Sequence, residues 1–310
     1  MPQGSTRISA PLSNLAVQYK NNEFIAGQVL KDVMVSNESD IYYVYANNFR
    51  VPFTERANGA AAAMVTFAYS TSSYIVKEHA LKDVITDRDR ANTETPLNLD
   101  RDATENLTDT IMRRMEIEAH KLLFTTTTWA NNAELSTTAL SWCGITTTAL
   151  PTQNVLSATS KILAAAGKKA NTMVISWNVF AGLKENPNLF DRIKYAERAI
   201  VTEDLLKALF DMQNVYVGSA VYDSATEGLT ESKGFIWGDD ALVAYFEPMP
   251  GLKKASAAVN FRVGWKGNPY RVKKWREEEI EGDYIEVQTM CAPRAVATAC
   301  GYFFKSVAIK

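Results

Sequence analysis

Pro96–Phe124, PLNLDRDATENLTDTIMRRMEIEAHKLLF, decides how this 310-residue chain is read. Leu107, Ile111, Met115, Ala119 and Leu122 recur every three or four residues, on one face of a helix. Glu105, Asp109, Arg113, Glu116 and Lys121 fall elsewhere and read as the solvated face. Pro96 marks the boundary, because a residue before proline avoids the helical region. Asp100 or Asp102 is the expected cap, with Glu105 in capping-box spacing after Asp102. About 24 residues at 1.5 Å each make a strut of ~36 Å.

Upstream, Ile41–Ala46 is rich in β-branched and aromatic residues. Phe49, Val51 and Phe53, then Val65, Phe67 and Tyr69, alternate with polar or small residues. Period-two alternation predicts strands with one covered face. Between them Thr54–Ala63 (TERANGAAAA) is a small-residue tip, with Asn58-Gly59 as its turn signal. Two strands of about 8–10 residues project roughly 30 Å. A two-stranded hairpin is marginal alone in water, so this one calls for another surface, most simply a second copy of the chain.

Downstream, Thr125–Leu150 is threonine-rich and reads as a loop or irregular β excursion. Thr152–Ala166 predicts a helix ended by Gly167, and Thr172–Ser176 a buried strand. A helix opens at Val179–Lys184, Asn186-Pro187-Asn188 reads as a turn, and Thr202 caps a short helix to Phe210. Further strands are expected at Val215–Val221, Gly234–Trp237, Leu242–Phe246 and Ala257–Val263. Two more extended runs, about Tyr284–Met290 and Ala295–Val307, are expected to be separated by Pro293. The first ten residues are polar and small and read as a loose end; Leu12–Leu30 reads as a partly helical arm broken at Gly27. Segregated helices and strands give an α+β class.

The net charge is −2, from 33 basic and 35 acidic residues, so no global field pulls the chain toward nucleic acid or a membrane. The N-terminus has no apolar signal core, and no apolar run approaches the ~20 residues that span a bilayer. Cys143, Cys291 and Cys300 lack metal-type spacing and read as buried thiols of a cytoplasmic protein. His79 and His120 sit in no nucleophile motif, and no phosphate loop, HExxH or CxxC occurs. The acidic pairs and triplets Asp239-Asp240 and Glu277-Glu278-Glu279 read as solvated turns ahead of cation sites. No catalytic residue, cofactor site or metal site is assigned, and the chain is not expected to be an enzyme.

One charge pattern stands out. Arg262–Arg276 carries Arg262, Lys266, Arg271, Lys273, Lys274 and Arg276 with no acid, and Glu277–Glu286 follows with six acids and no base. Trp265, Tyr270 and Trp275 interleave the basic run, the pattern of a platform for single-stranded nucleic acid. Adjacent acids would repel such a strand. Complementary blocks suit head-to-tail docking of identical subunits better. A solvated surface is the third reading.

The order of these elements resembles the major capsid protein of tailed bacteriophages, the Hong Kong 97-type shell fold. LSNLAVQYKNNEFIAGQVL looks like the N-terminal arm, and ALKDVITDRDRANTETPLNLDRDATENLTDTIMRRMEIEAHKLLF like the turn into the spine helix and the helix itself. NTMVISWNVFAGLKENPNLFDRIKY looks like a strand–helix unit of the axial domain, and WREEEIEGDYIEVQTMCAPRAVATACGYFF like the peripheral return strands. The resemblance implies an arm at 1–38, an extended hairpin at 39–82, a peripheral domain at 83–150 with its spine helix at about 101–124, an axial domain at 151–255 and return strands at 256–310. It implies a shell subunit forming pentamers and hexamers of an icosahedral head around double-stranded DNA, which the inner surface contacts non-specifically. Assembly would take place in the host bacterial cytoplasm, with scaffolding, portal and decoration proteins as partners and no membrane. The early start of the arm implies a separate scaffolding protein. Lys77 and Asn268 are of the residue types that crosslink some relatives, but the sequence does not align them to that chemistry. Interface residues are expected at Glu55, Arg56, Asn58 and Gly59 on the tip, at Arg262, Lys266, Arg271, Lys273, Lys274 and Arg276, and at Glu277, Glu278 and Glu279. An encapsulin-type nanocompartment shell is the alternative.

Overall fold

The two extended runs expected at the C-terminal end differ from the observed strands: Gly282–Ala295 is one strand that passes straight through Pro293. The computed structural model describes residues 7–8, 24–45, 49, 51, 54–59, 61–62, 64–65, 69–93, 98–135, 141–144, 148–193, 202–226, 228–251, 254–265 and 268–308. In chain order the strands of the first sheet are β1 (Arg7–Ile8), β2 (Asp32–Val35), β5 (Lys77–Thr86), β12 (Ala258–Val263), β13 (Tyr270–Glu277) and β14 (Gly282–Ala295). β14 is its axis. β12 and β13 lie end to end along one edge, antiparallel to it, and β5 runs antiparallel along the other. β2 adds in parallel beyond β12, and β1 antiparallel beyond β13. The first residues are therefore not wholly a loose end, since Arg7 and Ile8 pair with Lys274 and Lys273.

Pro293 sits opposite Asn260, whose N–H donates to Lys31 O on the far side (3.1 Å). The proline nitrogen thus faces the edge where β5 has already ended, opposite Cys291. No ladder bond is lost there, which is the setting in which a strand tolerates proline.

Four helices accompany the outer half of the fold and the second sheet: α4 (Pro151–Ala166), α5 (Trp177–Glu185), α6 (Pro187–Ile193) and α7 (Glu203–Phe210). Before them come α1 (Ala26–Val29), α2 (Asp87–Asn92) and the 25-residue α3 (Leu99–Leu123), the long helix expected from the sequence. Its cap is Asn98, whose side chain accepts from Arg101 N (3.3 Å), rather than Asp100 or Asp102. Asp100 is drawn away by Arg90 and Lys274. The N-terminal half of α3 lies on the first sheet, with Ala103 and Ile111 packed against Ile85, Val272, Ile285 and Val287.

The second sheet has the order β6–β15–β11–β7–β8, from β6 (Asn131–Glu134), β7 (Thr172–Ser176), β8 (Asn214–Gly218), β11 (Ala241–Ala244) and β15 (Gly301–Lys305). β7 and β11 are buried throughout, as central strands covered on both faces must be. Val155, Ile162, Val179, Leu183, Leu206 and Phe210 from the helices cover one face. The end of α3 and the α1 segment cover the other through Ala119, Leu123, Phe124, Phe24 and Val29. Gly167 ends α4 in the left-handed conformation at φ 66°, as expected. Asn186-Pro187-Asn188 differs from the expected turn: Asn186 Oδ1 accepts from Asn188 N (3.0 Å) and Pro187 opens α6, the usual first position for proline. A small hairpin, β9 (Val221–Asp223) with β10 (Lys233–Phe235), projects from this part.

The main departure from the helical wheel is Glu116. It reads as a solvated residue, yet it is fully buried. Its carboxyl accepts from the backbone N–H of Ile25 (3.0 Å) and Ala26 (2.8 Å) and from the indole Nε1 of Trp237 (2.7 Å). Burial pushes its pKa above the ordinary range, opposed by those three donors. One carboxyl thereby joins the N-terminal segment, the long helix and the loop before β11. Glu116→Ala leaves three buried donors unmatched, and urea denaturation is expected to show a loss of about 3 kcal/mol or more. Glu116→Gln keeps one acceptor and should lose less.

Candidate assembly surfaces

Tyr42 and Val44 face the covered side of the hairpin formed by β3 (Ser39–Tyr45) and β4 (Tyr69–Ile75). Its base is anchored: Tyr74 stacks on Phe261 at 4.5 Å between centroids, and Tyr42 lies 5.4 Å from the same ring. The hairpin expected from the alternation is present, but shifted. The second strand begins at Tyr69 rather than Val65, and Ile75 ends it, since Lys77 onward pairs with β14 in the main sheet. Asn58-Gly59 is the expected turn, with Gly59 at φ 83°.

The outer face of this arm carries exposed large apolar side chains beside Ser39, Thr71 and Ser73, which the register places on the same face. Ile41, Tyr43, Tyr69 and Ile75 are exposed on the side away from Phe261, and Val51 and Met64 toward the tip are 86% and 92% exposed. Alternation predicts a covered face; here one face is covered and its opposite also carries large apolar side chains. That second stripe is the signal missed by a reading that looked for polar tip residues. Glu55, Arg56, Asn58 and Gly59 are exposed, as docking through the tip requires.

The charged blocks meet each other inside the chain. β13 carries Arg271, Lys273, Lys274 and Arg276 and β14 carries Asp283 and Glu286, in antiparallel register with Lys273 opposite Glu286 and Arg276 opposite Asp283. Lys273 Nζ is 3.4 Å from Glu286, and Lys274 Nζ is 2.7 Å from Asp100 and 3.3 Å from Asp283. Arg276 pairs with Asp87 (2.6 Å) and Glu278 (3.2 Å). Arg262 is buried, its Nε 3.1 Å from Asp32, with Tyr270 below the guanidinium at 5.6 Å. Arg271 lies over Trp265, and Trp275 packs on Tyr284. The aromatic residues that suggested a stacking platform are thus engaged by their own chain. Glu277, Glu278 and Glu279 lie at the turn between the two strands, where Glu278 and Glu279 are exposed; Lys266 lies outside the described residues.

His120 packs between Phe124 (5.4 Å) and Trp237 (5.8 Å), and burial lowers its pKa. His79 is half-buried on β5, its pKa also lowered by burial. Cys291 lines the same hollow as His79, but burial pushes its thiol up to about 11, opposite to what a nucleophile needs. The three cysteines are buried, as expected. Asp239 accepts from Asn178 Nδ2 (2.8 Å) and Asp240 from Ser306 N (2.7 Å), so both tie down neighbouring segments.

No protein-family model matches the chain. It is 27% identical over 303 residues to the major capsid protein of Burkholderia phage BcepMu, covering 96% of this chain and 95% of that one. It is 26% identical over 244 residues to the major capsid protein of Pseudomonas phage JBD67, covering 77% of each. The chain is a relative of phage major capsid proteins. The structure of a phage-related protein from Bordetella bronchiseptica superposes with a TM-score of 0.78 at 21% identity, covering 99% of both chains. The bacteriophage PhiM1 mature capsid gives 0.57 at 11% identity over 94% of this chain and 89% of that one. The holo-SrpI encapsulin complex of Synechococcus elongatus gives 0.52 at 10% identity over 94% and 90%. The fold is the Hong Kong 97-type shell fold that the sequence resembles.

The Asp100 cluster makes the fold pH-dependent. Burial raises the Asp100 carboxyl, but hydrogen bonds from Lys274 and Arg90 outweigh it and hold the pKa below the usual carboxylate range. A depressed folded pKa adds stability that is fully present above about pH 4 and disappears as pH falls through the lowered value. Asp100→Asn should cost about 1 kcal/mol in urea denaturation at pH 7, discounted for the partial exposure of the cluster. The gap from wild type should close as the pH is taken from about 4 toward about 2.

Proposed function

We infer that this protein is the major shell subunit of a tailed phage head, a structural protein that self-assembles into a capsid and resides in the virion. The observation that carries this is the projecting hairpin, whose outer apolar stripe has no cover within its own chain among the described residues. Single exposed apolar side chains are ordinary, but four large ones on one face of the hairpin, with two more toward the tip, mark a binding surface. A second copy of the chain is its natural cover, because a shell places an identical surface beside every subunit. Many weak contacts then act together, so no one of them has to be strong.

In such a shell, subunits form pentamers and hexamers, and Glu55, Arg56, Asn58 and Gly59 touch the neighbour at the hairpin tip. Arg271, Arg276 and Glu277–Glu279 form a charged rim, while Arg262, Lys273 and Lys274 act within the chain. Scaffolding, portal and decoration proteins join in the host cytoplasm, and double-stranded DNA fills the interior. The role calls for no catalytic group and no cofactor. Encapsulin shells share the fold, but the two sequence relatives above, covering 96% and 77% of this chain, are phage capsid proteins, which favours the phage reading.

Val51→Asp with Met64→Asp tests the hairpin. Both side chains are exposed, so thermal unfolding of the subunit should be within about 0.5 kcal/mol of wild type. Negative-stain microscopy and light scattering should show closed shells or rings for wild type and none for the variant. Wild-type shells from the variant would overturn the assignment of the hairpin.

A further inference from the structure

Lys273, Lys274 and Arg276 of β13 are paired within their own chain, and a separate group of cations lies around one opening. A hollow of about 280 Å³ opens between β5, the last turns of α3 and the far end of β14. Its rim carries Lys77 and His79 from β5, Arg114 and Lys121 from α3, and Arg294 from β14. Its floor is apolar, from Leu122, Cys291, Ala292 and Pro293. The one acid among its described lining residues is Glu118, which pairs with Arg114 at 2.6 Å, both on one face of α3. Among the described residues no carboxylate lies within ion-pair distance of Lys77, Lys121 or Arg294. All three are exposed.

Four permanent cations against one acid is a local excess in a chain whose net charge is −2. Three different elements place those cations around one opening, and the packing of α3 on β5 and β14 fixes the spacing of their backbones. Left alone, such a group costs stability through mutual repulsion, so an anion that bridges it is favoured. A single carboxylate satisfies one guanidinium or ammonium. The repeated phosphates of a nucleic-acid backbone present several charges at once, which matches cations spread along a rim.

We propose that the hollow bounded by Lys77, His79, Arg114, Lys121 and Arg294 is a phosphate-binding site that holds the backbone of double-stranded DNA. The assignment of DNA as the polyanion rests on the shell reading above. The site reads charge and not sequence, because no group in it is placed to address base edges.

The test uses full-length protein below its assembly concentration and a fluorescein-labelled duplex of about 30 base pairs, followed by anisotropy between about 50 and 200 mM salt. Lys77→Ala/Lys121→Ala/Arg294→Ala is compared with wild type and with a charge-matched control, Lys31→Ala/Lys168→Ala/Lys184→Ala. The pocket variant should bind at least about tenfold more weakly at the lowest salt. Its log–log salt slope should fall by roughly two to three, since each neutralised phosphate contributes ~0.9 to the slope. The control should stay within about twofold of wild type. No binding by wild type, an unchanged pocket variant, or an equal weakening in the control would overturn the proposal. Thermal melts establish that both variants are folded. Negative stain of the same samples separates the two readings: pocket-dependent binding by a protein that never forms shells keeps the site and sinks the shell. A pocket variant that binds DNA normally but fails to assemble would assign the hollow to a carboxylate of a second copy instead.

Discussion

The buried carboxyl of Glu116 is the constraint on which the rest depends. An unpartnered carboxyl at that depth would be strongly unfavourable, and one that accepts three hydrogen bonds is tolerated only if all three donors stay in place. Those donors come from residues 25 and 26 and from residue 237, far apart in the chain. Satisfying one side chain therefore fixes where the N-terminal segment crosses the long helix and how the second sheet sits against its end. Gly218 serves the same junction, since any side chain there would run into the Trp237 ring.

Electrostatics is handled inside the subunit to a degree that the linear order of charges does not suggest. Two strands that follow one another in sequence fold back into antiparallel register, so Lys273 pairs with Glu286 and Lys274 with Asp283 across the ladder. Asp100 and Asp87, at the starts of two helices, complete the arrangement by engaging Lys274 and Arg276. Each of these pairs is at least partly exposed and worth little alone. Together they engage Lys273, Lys274 and Arg276 within the chain, whereas Lys77, Lys121 and Arg294 around the hollow beside β5 have no such pairing among the described residues.

The same chain keeps a hairpin that is anchored at its root and unsatisfied along its outer face. Tyr42 and Tyr74 clamp the base on Phe261, which holds the strands in a fixed direction. A subunit that is rigid at the root and apolar beyond it is suited to docking, because little orientational freedom remains to be given up when the partner arrives. Met34 on the edge strand β2 is also exposed.

Local chemistry made the helices and most strands legible. Apolar spacing predicted the long helix, Gly167 its neighbour's end, Thr202 the cap of α7 and Thr172–Ser176 the central strand, each set by residues a few positions apart. The element order was enough to indicate the shell fold. Pairings between distant residues were not legible. Glu116 reads as solvated because its donors lie about 90 and 121 positions away, and Pro293 reads as a break because its open edge depends on where β5 stops. The pairing of Lys273 with Glu286 and of Lys274 with Asp283 was not legible either, because nothing in the linear order reveals that one turn brings the two strands face to face. Spacing along the chain determines which face of an element is apolar; only the tertiary structure decides what that face, or a buried charge on the other one, is set against.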